Sequence, residues 1–382
     1  MILRTRFPRD RRGVALPLAL FTLVIVAVMI TAVFYVGHLE QRMGYNSLAS
    51  TQAFEAAEAG AAAALTAWTP STYNSMTIDS TLTLPVTSVG SNSVYTASVR
   101  RLNSTLFLIR AEGRFLIAGQ AVTRRQVARL VRLDPPPIDP DAALTSRVGL
   151  EVGGSAQISG ADMVPGTWGG LCPSPGPDAP AIRDSTGVVV TSGSCAGQTC
   201  LTGMPKVATD PSVSTNTFTQ FGSETFASLS AAAEKVFTAN DNLGSLGPTF
   251  NAGSPVTCRY SDLQNWGDPD DPTSPCGEYF PIIYSTGDLT LSGGTGQGIL
   301  LVEGNLELSG GARFYGIAVV QGNIVTSGGQ LVGGLMVNNV AAAPTLVAST
   351  TQLNFSRCAI DRAVTGAAQP SALQERSWAQ LY

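Results

Sequence analysis

The sequence has little charge and almost no histidine. Charged residues make up 13% of the 382 residues, about half of their share in an ordinary soluble domain. The only histidine is His38, which excludes a histidine-based nucleophilic site elsewhere in the chain. The formal net charge is −4, and the body of the chain has no basic stretch interleaved with aromatic residues. We therefore expect no nucleic acid among its partners.

In place of charge the chain has many small and turn-forming residues. It contains 40 glycines, and 44% of its residues are apolar. This apolar share is high enough for packed cores, and the length allows about two domains. The balance is typical of an extracytoplasmic protein rich in β-strands and turns.

A long apolar run lies near the N-terminus. Val14–Val36 has 23 residues without a charge, which gives a helix of about 34 Å and is enough to cross the core of a bilayer. Five arginines precede it against a single acid, Asp10, so we expect the N-terminus to stay in the cytoplasm and the rest to be exported. A cleaved secretory signal peptide is the alternative. Its apolar region is usually shorter, which favours a retained single-pass anchor.

The segment after the anchor predicts a continuation of the same helix. Gly37–Trp68 is rich in Ala, Glu, Gln and Leu, has no proline, and repeats its apolar residues at steps of three and four. Those residues are Leu39, Met43, Phe54, Ala57, Ala61, Leu65 and Trp68. Anchor and amphipathic helix together predict one rod over residues 14–69, roughly 80 Å long, which is more than a membrane anchor requires.

These N-terminal features resemble the type IV pilin superfamily, and within it PilX-type minor pilins. The resemblance rests on a basic leader ending in Gly13, the apolar helix, and the stretch "QAFEAAEAG" from Gln52 to Gly60. It implies that a prepilin peptidase removes residues 1–13 and that Val14 becomes the first residue of the mature chain. It also implies residence in the bacterial inner membrane, then contacts with other pilins through the helix, in a pilus at the cell surface.

The fifth residue after the implied cut departs from the pattern of the family. Major pilins generally have a glutamate there, which pairs with the N-terminal amine of a neighbouring subunit, whereas this chain has Leu18. A lone carboxylate among lipid-facing residues is costly unless a cation meets it, so Leu18 removes both the cost and the pairing. A hydrophobic residue here is similar to the tip-located pseudopilin of type II secretion. The alternative is that PilX-like sequences tolerate change at this position, which then says nothing about location.

Three alternating runs after the helix predict an antiparallel β-meander packed on it, a head over residues 70–134. The runs are Ser93–Leu102, Thr105–Leu116 and Gln120–Leu133. The third run carries Arg125, Arg129 and Arg132, which we interpret as a solvated strand face. An acidic partner or a polysaccharide is the alternative contact for these arginines.

A proline-rich stretch and an internal repeat follow the head. Residues 135–142 include three consecutive prolines and predict a stiff linker. The stretches "GDLTLSGG", "GNLELSGG" and "GNIVTSGG" then begin at Gly287, Gly304 and Gly322, at steps of 17 and 18 residues. This period predicts the coils of a β-solenoid over residues 143–382, and an antiparallel sandwich is the less regular alternative. The expected interior residues are Leu289, Leu291, Leu300, Val302, Leu306, Leu308, Val319, Ile324 and Val337.

One loosely matching coil, Val148–Gly160, precedes the main repeats, so residues 161–278 are predicted to be an insertion. The insertion holds five of the six cysteines and a predicted helix over Ser223–Phe237. The close pairs, Cys195 with Cys200 and Cys258 with Cys276, predict disulfides because their spacing differs from that of a zinc site. Free thiols are the alternative, and the connectivity of all six is open.

Nothing in the repeats predicts catalysis or a cofactor. Asp288, Glu303 and Glu307 are their only acids, and no shared face is implied for the two glutamates because Gly304 and Asn305 turn the chain between them. The best metal candidate is a weak one, a calcium site formed by the aspartates of the loop 265–279. These are Asp268, Asp270 and Asp271. A simple turn tied by Cys276 is the favoured interpretation of this loop.

The sequence thus predicts an α+β protein with a long N-terminal helix, a small meander head and a large β-solenoid. The predicted function is that of a non-enzymatic minor pilin-like subunit that displays this solenoid for pilus assembly, initiation or adhesion, with a surface structure or polysaccharide as ligand. So large a subunit repeats poorly along a tightly packed shaft, which favours a rare or tip position. The alternatives are a membrane-anchored solenoid adhesin or envelope scaffold outside any filament, and a type II secretion pseudopilin.

Overall fold

The structure is a computed structural model. It describes residues 15–187, 189–238, 240–339, 345–347, 350–373 and 378–381. A long apolar N-terminal helix precedes a mainly β body with antiparallel and parallel sheets, so the predicted α+β class is confirmed. The predicted leader and the processing residues Gly13 and Val14 lie outside the described residues.

The first helix, α1, runs unbroken over Ala15–Thr66, 52 residues. The side chains of residues 15–48 are exposed, and we call these residues the free helix segment. The second half buries one side made almost wholly of small residues. These are Ala49, Ala53, Ala56, Ala57, Gly60, Ala61 and Ala64. Alanine favours the helix and lets a sheet approach its backbone closely.

A short helix, α2 (Pro70–Tyr73), leads into an antiparallel sheet that packs on α1, which we call the head sheet. Its first strands are β1 (Thr81–Thr83), β2 (Thr87–Val89), β3 (Ser93–Arg101), β4 (Leu106–Ile117) and β5 (Gln120–Asp134). The three predicted runs coincide with β3, β4 and β5. Phe107, Ile109, Val127 and Val131 are fully buried against the helix, so the alternation of these strands marks the buried face.

After the head the chain begins to coil, and successive strands pair in parallel rather than antiparallel fashion. The strands are β6 (Leu144–Ser146), β7 (Leu150–Val152), β8 (Gln157–Ser159), β9 (Ile182–Asp184), β10 (Val189–Thr191), β11 (Leu201–Thr202) and β12 (Val207–Thr209). β9 pairs with β6, β10 with β7 and β11 with β8. Each turn of the chain therefore adds one strand to each of three faces.

The next segment crosses to the opposite end of the stack. It contains α3 (Thr215–Thr219), β13 (Gln220–Phe221), β14 (Glu224–Thr225), α4 (Phe226–Ala231), β15 (Lys235–Phe237), β16 (Asp241–Leu243), β17 (Phe250–Asn251) and β18 (Thr257–Cys258). The predicted helix over Ser223–Phe237 is wrong in extent. α4 has only six residues, and Val236, which lies within the predicted helix, is 43% exposed in β15. Parallel pairing of β15 with the following coil overrides the local helical pattern.

The repeats identified in the sequence form the rest of the stack. They give β19 (Ile282–Ser285), β20 (Leu289–Leu291), β21 (Thr295–Val302), β22 (Leu306–Leu308), β23 (Arg313–Val320), β24 (Ile324–Thr326), β25 (Gln330–Val337), β26 (Thr345–Val347) and β27 (Gln352–Phe355). Leu289 lies beside Leu306 and Leu306 beside Ile324, so each repeat stacks on the next in register. All nine residues predicted to face the interior are at most 1% exposed.

Glycines divide each long strand into two halves. Gly298, Gly316 and Gly333 are neighbours in the ladder and have φ of 124°, 129° and 140°. A Cβ on Gly316 would lie 2.1 Å from the carbonyl oxygen of Gly298, so only glycine fits. The first half of β25 pairs with β27 and the second half with β6.

The two runs of coils meet in the middle of the stack. β25, β26 and β27 pair with β6, β7 and β8, so the last repeats dock on the first coil. We call the resulting stack, residues 143–355, the coiled unit. The predicted insertion over residues 161–278 supplies six strands of this stack, which the sequence pattern did not indicate. They are β9, β10, β11, β12, β15 and β16.

The end of the chain returns to the head. Helix α5 (Arg357–Gly366) covers the coiled unit, and β28 (Gln369–Ala372) and β29 (Trp378–Leu381) then pair antiparallel with β5. The strand pairing therefore differs from the predicted division, which placed the chain up to residue 382 in the distal unit. The coiled unit is inserted between neighbouring strands of one sheet.

The proline-rich segment is docked rather than free. Pro136, Ile138, Pro140 and Ala142 alternate with exposed residues and are buried. Pro140 packs where a Cβ of Gly334 would lie, 2.4 Å from it. The alternation makes this segment an extended strap between the head and the coiled unit.

Candidate functional site

The free helix segment is the largest exposed apolar surface among the described residues. α1 is long and apolar enough to cross a membrane, with a mean hydropathy of 2.7 over its best 18-residue window. Leu18 lies in this segment and is 62% exposed. The segment carries no charge before Glu40, so its side chains require a lipid or protein environment.

The other half of α1 is held on the head sheet by two close backbone approaches. A Cβ on Gly113 of β4 would lie 2.0 Å from the carbonyl oxygen of Ala53, and a Cβ on Gly60 would lie 2.7 Å from the ring of Tyr95. The "QAFEAAEAG" stretch supplies Ala53, Ala57 and Gly60 for these contacts. Gly113 was not singled out from the sequence, although a glycine inside a strand is a known sign of close backbone approach.

Two of the three arginines singled out on β5 bind the helix. Arg125 donates from Nε and Nη2 to the Oγ of Ser50 at 2.8 and 2.7 Å. Arg129 pairs with Glu58 at 3.5 Å, and the indole Nε1 of Trp378 donates to the same carboxylate. The solvated-face interpretation therefore holds only for Arg132, which is more than half exposed and pairs with Asp134 in its own strand.

A ladder of side-chain oxygens lines one corner of the coiled unit. Oδ1 of Asp288 accepts from the backbone N–H of Asn305 at 2.7 Å, and Oδ1 of Asn305 accepts from the N–H of Asn323 at 2.8 Å. Asn240 continues the ladder by accepting from the N–H of Asp288 at 3.0 Å. Asp288, Asn305 and Asn323 each follow the glycine that opens a repeat. The Gly-Asp and Gly-Asn pairs in the sequence were therefore the signal for this ladder.

All six cysteines form disulfides. Cys195 is bonded to Cys200 and Cys258 to Cys276, the two pairs that the spacing favoured. The third bond joins Cys172 to Cys358 across 186 residues and fixes the loop after β8 to α5. A bond across so long a loop removes much conformational entropy from the unfolded chain.

The aspartates of the acidic loop point to separate partners. Asp270 pairs with Arg313 at 2.6 Å, and Oδ1 of Asp271 accepts from the hydroxyl and N–H of Thr273. Oδ1 of Asp268 accepts from the N–H of Asp271 at 3.2 Å. These bonds are those of a structural turn. In the described part of the chain, no group of three or more His, Cys, Asp and Glu side chains is placed to hold a metal ion.

A buried polar cluster lies where α2 approaches the coiled unit. Lys235 donates to the carbonyl oxygens of Tyr260 and Asp262, and burial lowers its pKa while Glu234 and Asp262 oppose the shift. The hydroxyl of Tyr279 donates to Glu234 at 3.3 Å. Burial raises the pKa of Glu234, and the hydroxyl of Ser71 on α2 and that of Tyr279 partly oppose this. The cluster is a polar joint between head and coiled unit.

A second joint surrounds a cavity of about 190 Å³ between the head and α5. Asn74 donates to the carbonyl oxygens of Gly366 and Ala368, both at 2.9 Å. Arg362 of α5 pairs with Glu278 at 2.7 Å, and its guanidinium carbon lies 4.6 Å from the centre of the Trp168 ring. Burial lowers the pKa of Arg362, with Glu278 opposing the shift. The two joints fix the coiled unit to the head.

The two glutamates of the repeats lie beside different strands. Oε1 of Glu303 accepts from the hydroxyl of Tyr284 at 2.6 Å, and Oε2 of Glu307 accepts from Thr290 at 3.3 Å. Each is used in a contact between neighbouring coils, so the arrangement contributes to stacking.

Comparison with known proteins gives little. No protein-family model matches the chain, and no curated protein sequence matches it. Among solved structures, the chain is similar to the competence-associated pilin ComZ from Thermus thermophilus, at 13% identity and a TM-score of 0.23. The alignment covers 87% of this chain and 97% of that one. A TM-score this low does not establish a common fold.

Proposed function

We propose that the protein is a minor pilin-like subunit of a type IV pilus or a related filament, of the PilX type, and has no enzymatic role. The observation that carries this proposal is the division of α1 into two halves. One half is exposed and apolar over a membrane-spanning length, and the other is seated on an antiparallel sheet by small residues. A helix of this kind serves first as an anchor in lipid and then as a packing element against other subunits.

In this proposal a prepilin peptidase cuts after Gly13, the chain waits in the inner membrane with its N-terminus in the cytoplasm, and the free helix segment then enters a bundle with the helices of other pilins. Leu18 lacks the carboxylate that a shaft subunit uses to meet the amine of its neighbour. Together with the bulk of the coiled unit, this favours a rare or tip position over a repeating one.

The coiled unit is, in the same proposal, a β-solenoid display domain. Its parallel strands stack in register, two disulfides lie within it, a third bonds it to α5, and two joints hold it to the head. These features favour a rigid module carried outward by the helix. Its ligand would be a surface structure or a polysaccharide.

The N-terminal mass of the mature chain tests the proposal. Expressed with a prepilin peptidase, the wild type is expected to begin at Val14, and a Gly13→Leu variant is expected to keep residues 1–13. An uncut wild-type chain in peptidase-positive cells would refute the proposal.

Filament preparations test the second step. The cut chain is expected in sheared filaments of wild-type cells and not in the same fraction from cells without the shaft pilin. A cut chain that stays wholly in the membrane fraction would instead support an anchored adhesin or envelope scaffold.

A further inference from the structure

The turn between β4 and β5 exposes aliphatic side chains close to an arginine. We call residues 117–122 the hairpin tip. Its Ile117 and Val122 are 43% and 54% exposed, and Arg124 follows them on an exposed position of β5. Exposed aliphatic residues next to an arginine are a combination that suits the interface of a lipid bilayer.

The strand β4 follows α1 back toward its N-terminal end. Phe107 contacts Trp68, Gly113 lies on Ala53, and Phe115 contacts Tyr45, so helix numbers fall as strand numbers rise. The hairpin tip is the continuation of this strand beyond Phe115. It therefore points along the helix toward the free helix segment.

The position of the tip along the helix axis, relative to the end of the apolar run, follows from the rise per residue of the helix and that of the strand. Phe115 packs against Tyr45 and Ala49, which lie about 14 to 20 Å of helix from Val36, where the apolar run ends. Gly119 lies four residues beyond Phe115, about 13 Å along the strand. The turn thus comes within about 7 Å of the level of Val36, and a headgroup layer is about 5 to 7 Å thick.

The contacts of α1 with β4 and β5 hold the tip in this position. Arg125 is bonded to Ser50 by two hydrogen bonds, and Gly113 leaves no room between β4 and the helix backbone. The hairpin therefore cannot swing away from the membrane level without breaking the contact of β4 with α1.

The charge near the tip is positive. Arg114 pairs with Glu112 at 2.8 Å, whereas Arg124 makes no ion pair within the part of the chain that the structure describes. Arg114 and Arg124 are direct cross-strand neighbours, an arrangement that is unfavourable unless an anion lies nearby. Arg42 lies on the helix about 9 Å beyond Val36, with Tyr35 and Tyr45 on either side in the sequence, as at a membrane interface.

We infer that the hairpin tip docks on anionic phospholipid headgroups while the chain is anchored in the membrane. The inference rests on the proposed membrane anchoring by α1 and adds a second contact with the same bilayer. Val122 and Ile117 enter the headgroup layer, and Arg124 meets lipid phosphate. The second contact fixes the orientation of the head relative to the bilayer before assembly.

The test uses the full chain in lipid nanodiscs. Because the native cysteines are all in disulfides, a single introduced thiol can be labelled with a bimane fluorophore, at Gln120→Cys in the tip or at Ser104→Cys in the turn at the opposite end of β4. Lipids with a nitroxide on the headgroup quench a bimane that lies at their level. We expect quenching at residue 120 and little at residue 104, and more at residue 120 when phosphatidylglycerol is added to phosphatidylcholine.

Charge reversal supplies the matched control. Arg124 and Arg132 are exposed on the same strand, eight residues apart, and only the first is near the tip. Arg124→Glu changes the charge by two units and is expected to lower the ratio of docked to undocked tip about 25-fold in phosphatidylglycerol, whereas Arg132→Glu leaves it unchanged. Arg124→Gln gives a smaller decrease in the same direction.

Two results would overturn the inference. Equal quenching at residues 104 and 120 in nanodiscs that contain the chain would show that the tip does not dock, and would leave the anchoring intact. Equal effects of the two charge reversals would remove the role of Arg124. Failure of the chain to enter nanodiscs at all would instead refute the anchoring itself, and this inference with it.

Discussion

Replacement of one corner glycine by alanine is expected to destabilise the coiled unit strongly. Gly316 has a φ of 129°, which L residues rarely adopt, and that strain costs about 1 to 3 kcal/mol. The new Cβ would also lie 2.1 Å from the carbonyl oxygen of Gly298, so neighbouring coils must separate and weaken hydrogen bonds of about 1 kcal/mol each. Gly316→Ala should therefore lower the free energy of unfolding by about 4 kcal/mol.

Gly311→Ala is the matched control, from the turn that precedes the same strand. Gly311 has a φ of 82° and no atom within 4 Å of its added Cβ, so it meets only the backbone cost of about 1 kcal/mol. At about 2 to 4 °C per kcal/mol, Tm should fall by about 8 to 16 °C in the first variant and about 2 to 4 °C in the second.

Near-UV circular dichroism of the full chain in detergent measures this difference, because Trp168 and Trp266 are fully buried in the coiled unit. Equal and small decreases of Tm in both variants would show that the contact between corner glycines does not hold the coils together.

Three further perturbations address single contacts. Burial raises the pKa of Glu234 above its ordinary value of 4.5, so the folded protein retains a proton that the unfolded chain has lost, and stability falls as the pH rises above that value. Glu234→Gln has no carboxyl group to ionise, so its stability should not fall in this way. The difference in Tm between this variant and the wild type should therefore increase from about pH 4 to pH 7. A difference in Tm that does not change with pH would contradict a raised pKa of Glu234. Ala118→Asn should raise Tm by about 2 to 4 °C, because Ala118 has a φ of 50° in the β4–β5 turn and asparagine tolerates that conformation, and an unchanged Tm would argue against the strained turn. Replacing Cys258 and Cys276 together by alanine opens a loop of 18 residues and should lower the stability in urea by about 3 kcal/mol, and a loss below a third of that would mean that the loop is ordered without its bond.

The parts of the fold that could be predicted are those in which apolar residues recur at a regular spacing in the sequence. Leu289, Leu306 and Ile324 recur at nearly constant spacing because each occupies the same place in successive coils, and their burial followed from the spacing alone. The same holds for β3 to β5, whose alternation reflects one buried face. Local pattern and tertiary environment agree in these segments.

The parts that could not be predicted depend on pairings between distant short strands. β9 and β12 have three residues each, too few for a period, and join the stack only because β6 and β9 offer a parallel edge. β28 pairs with β5 across more than two hundred residues, which no local pattern records. The close contact of Gly113 with α1 could not be predicted for a related reason. Gly113 is required there by the backbone of Ala53, which is distant from it in the sequence.

The return of the chain to the head has a mechanical consequence. Asp134 and Gln369, through which the coiled unit leaves and re-enters the head, are paired residues on adjacent strands. A force applied to the coiled unit therefore pulls β5 and β28 in the same direction from the same end, and their mutual hydrogen bonds carry little of the load. The load passes by shear into the long β4–β5 ladder and from there to the helix. A tether built in this way resists detachment better than one attached through a single strand.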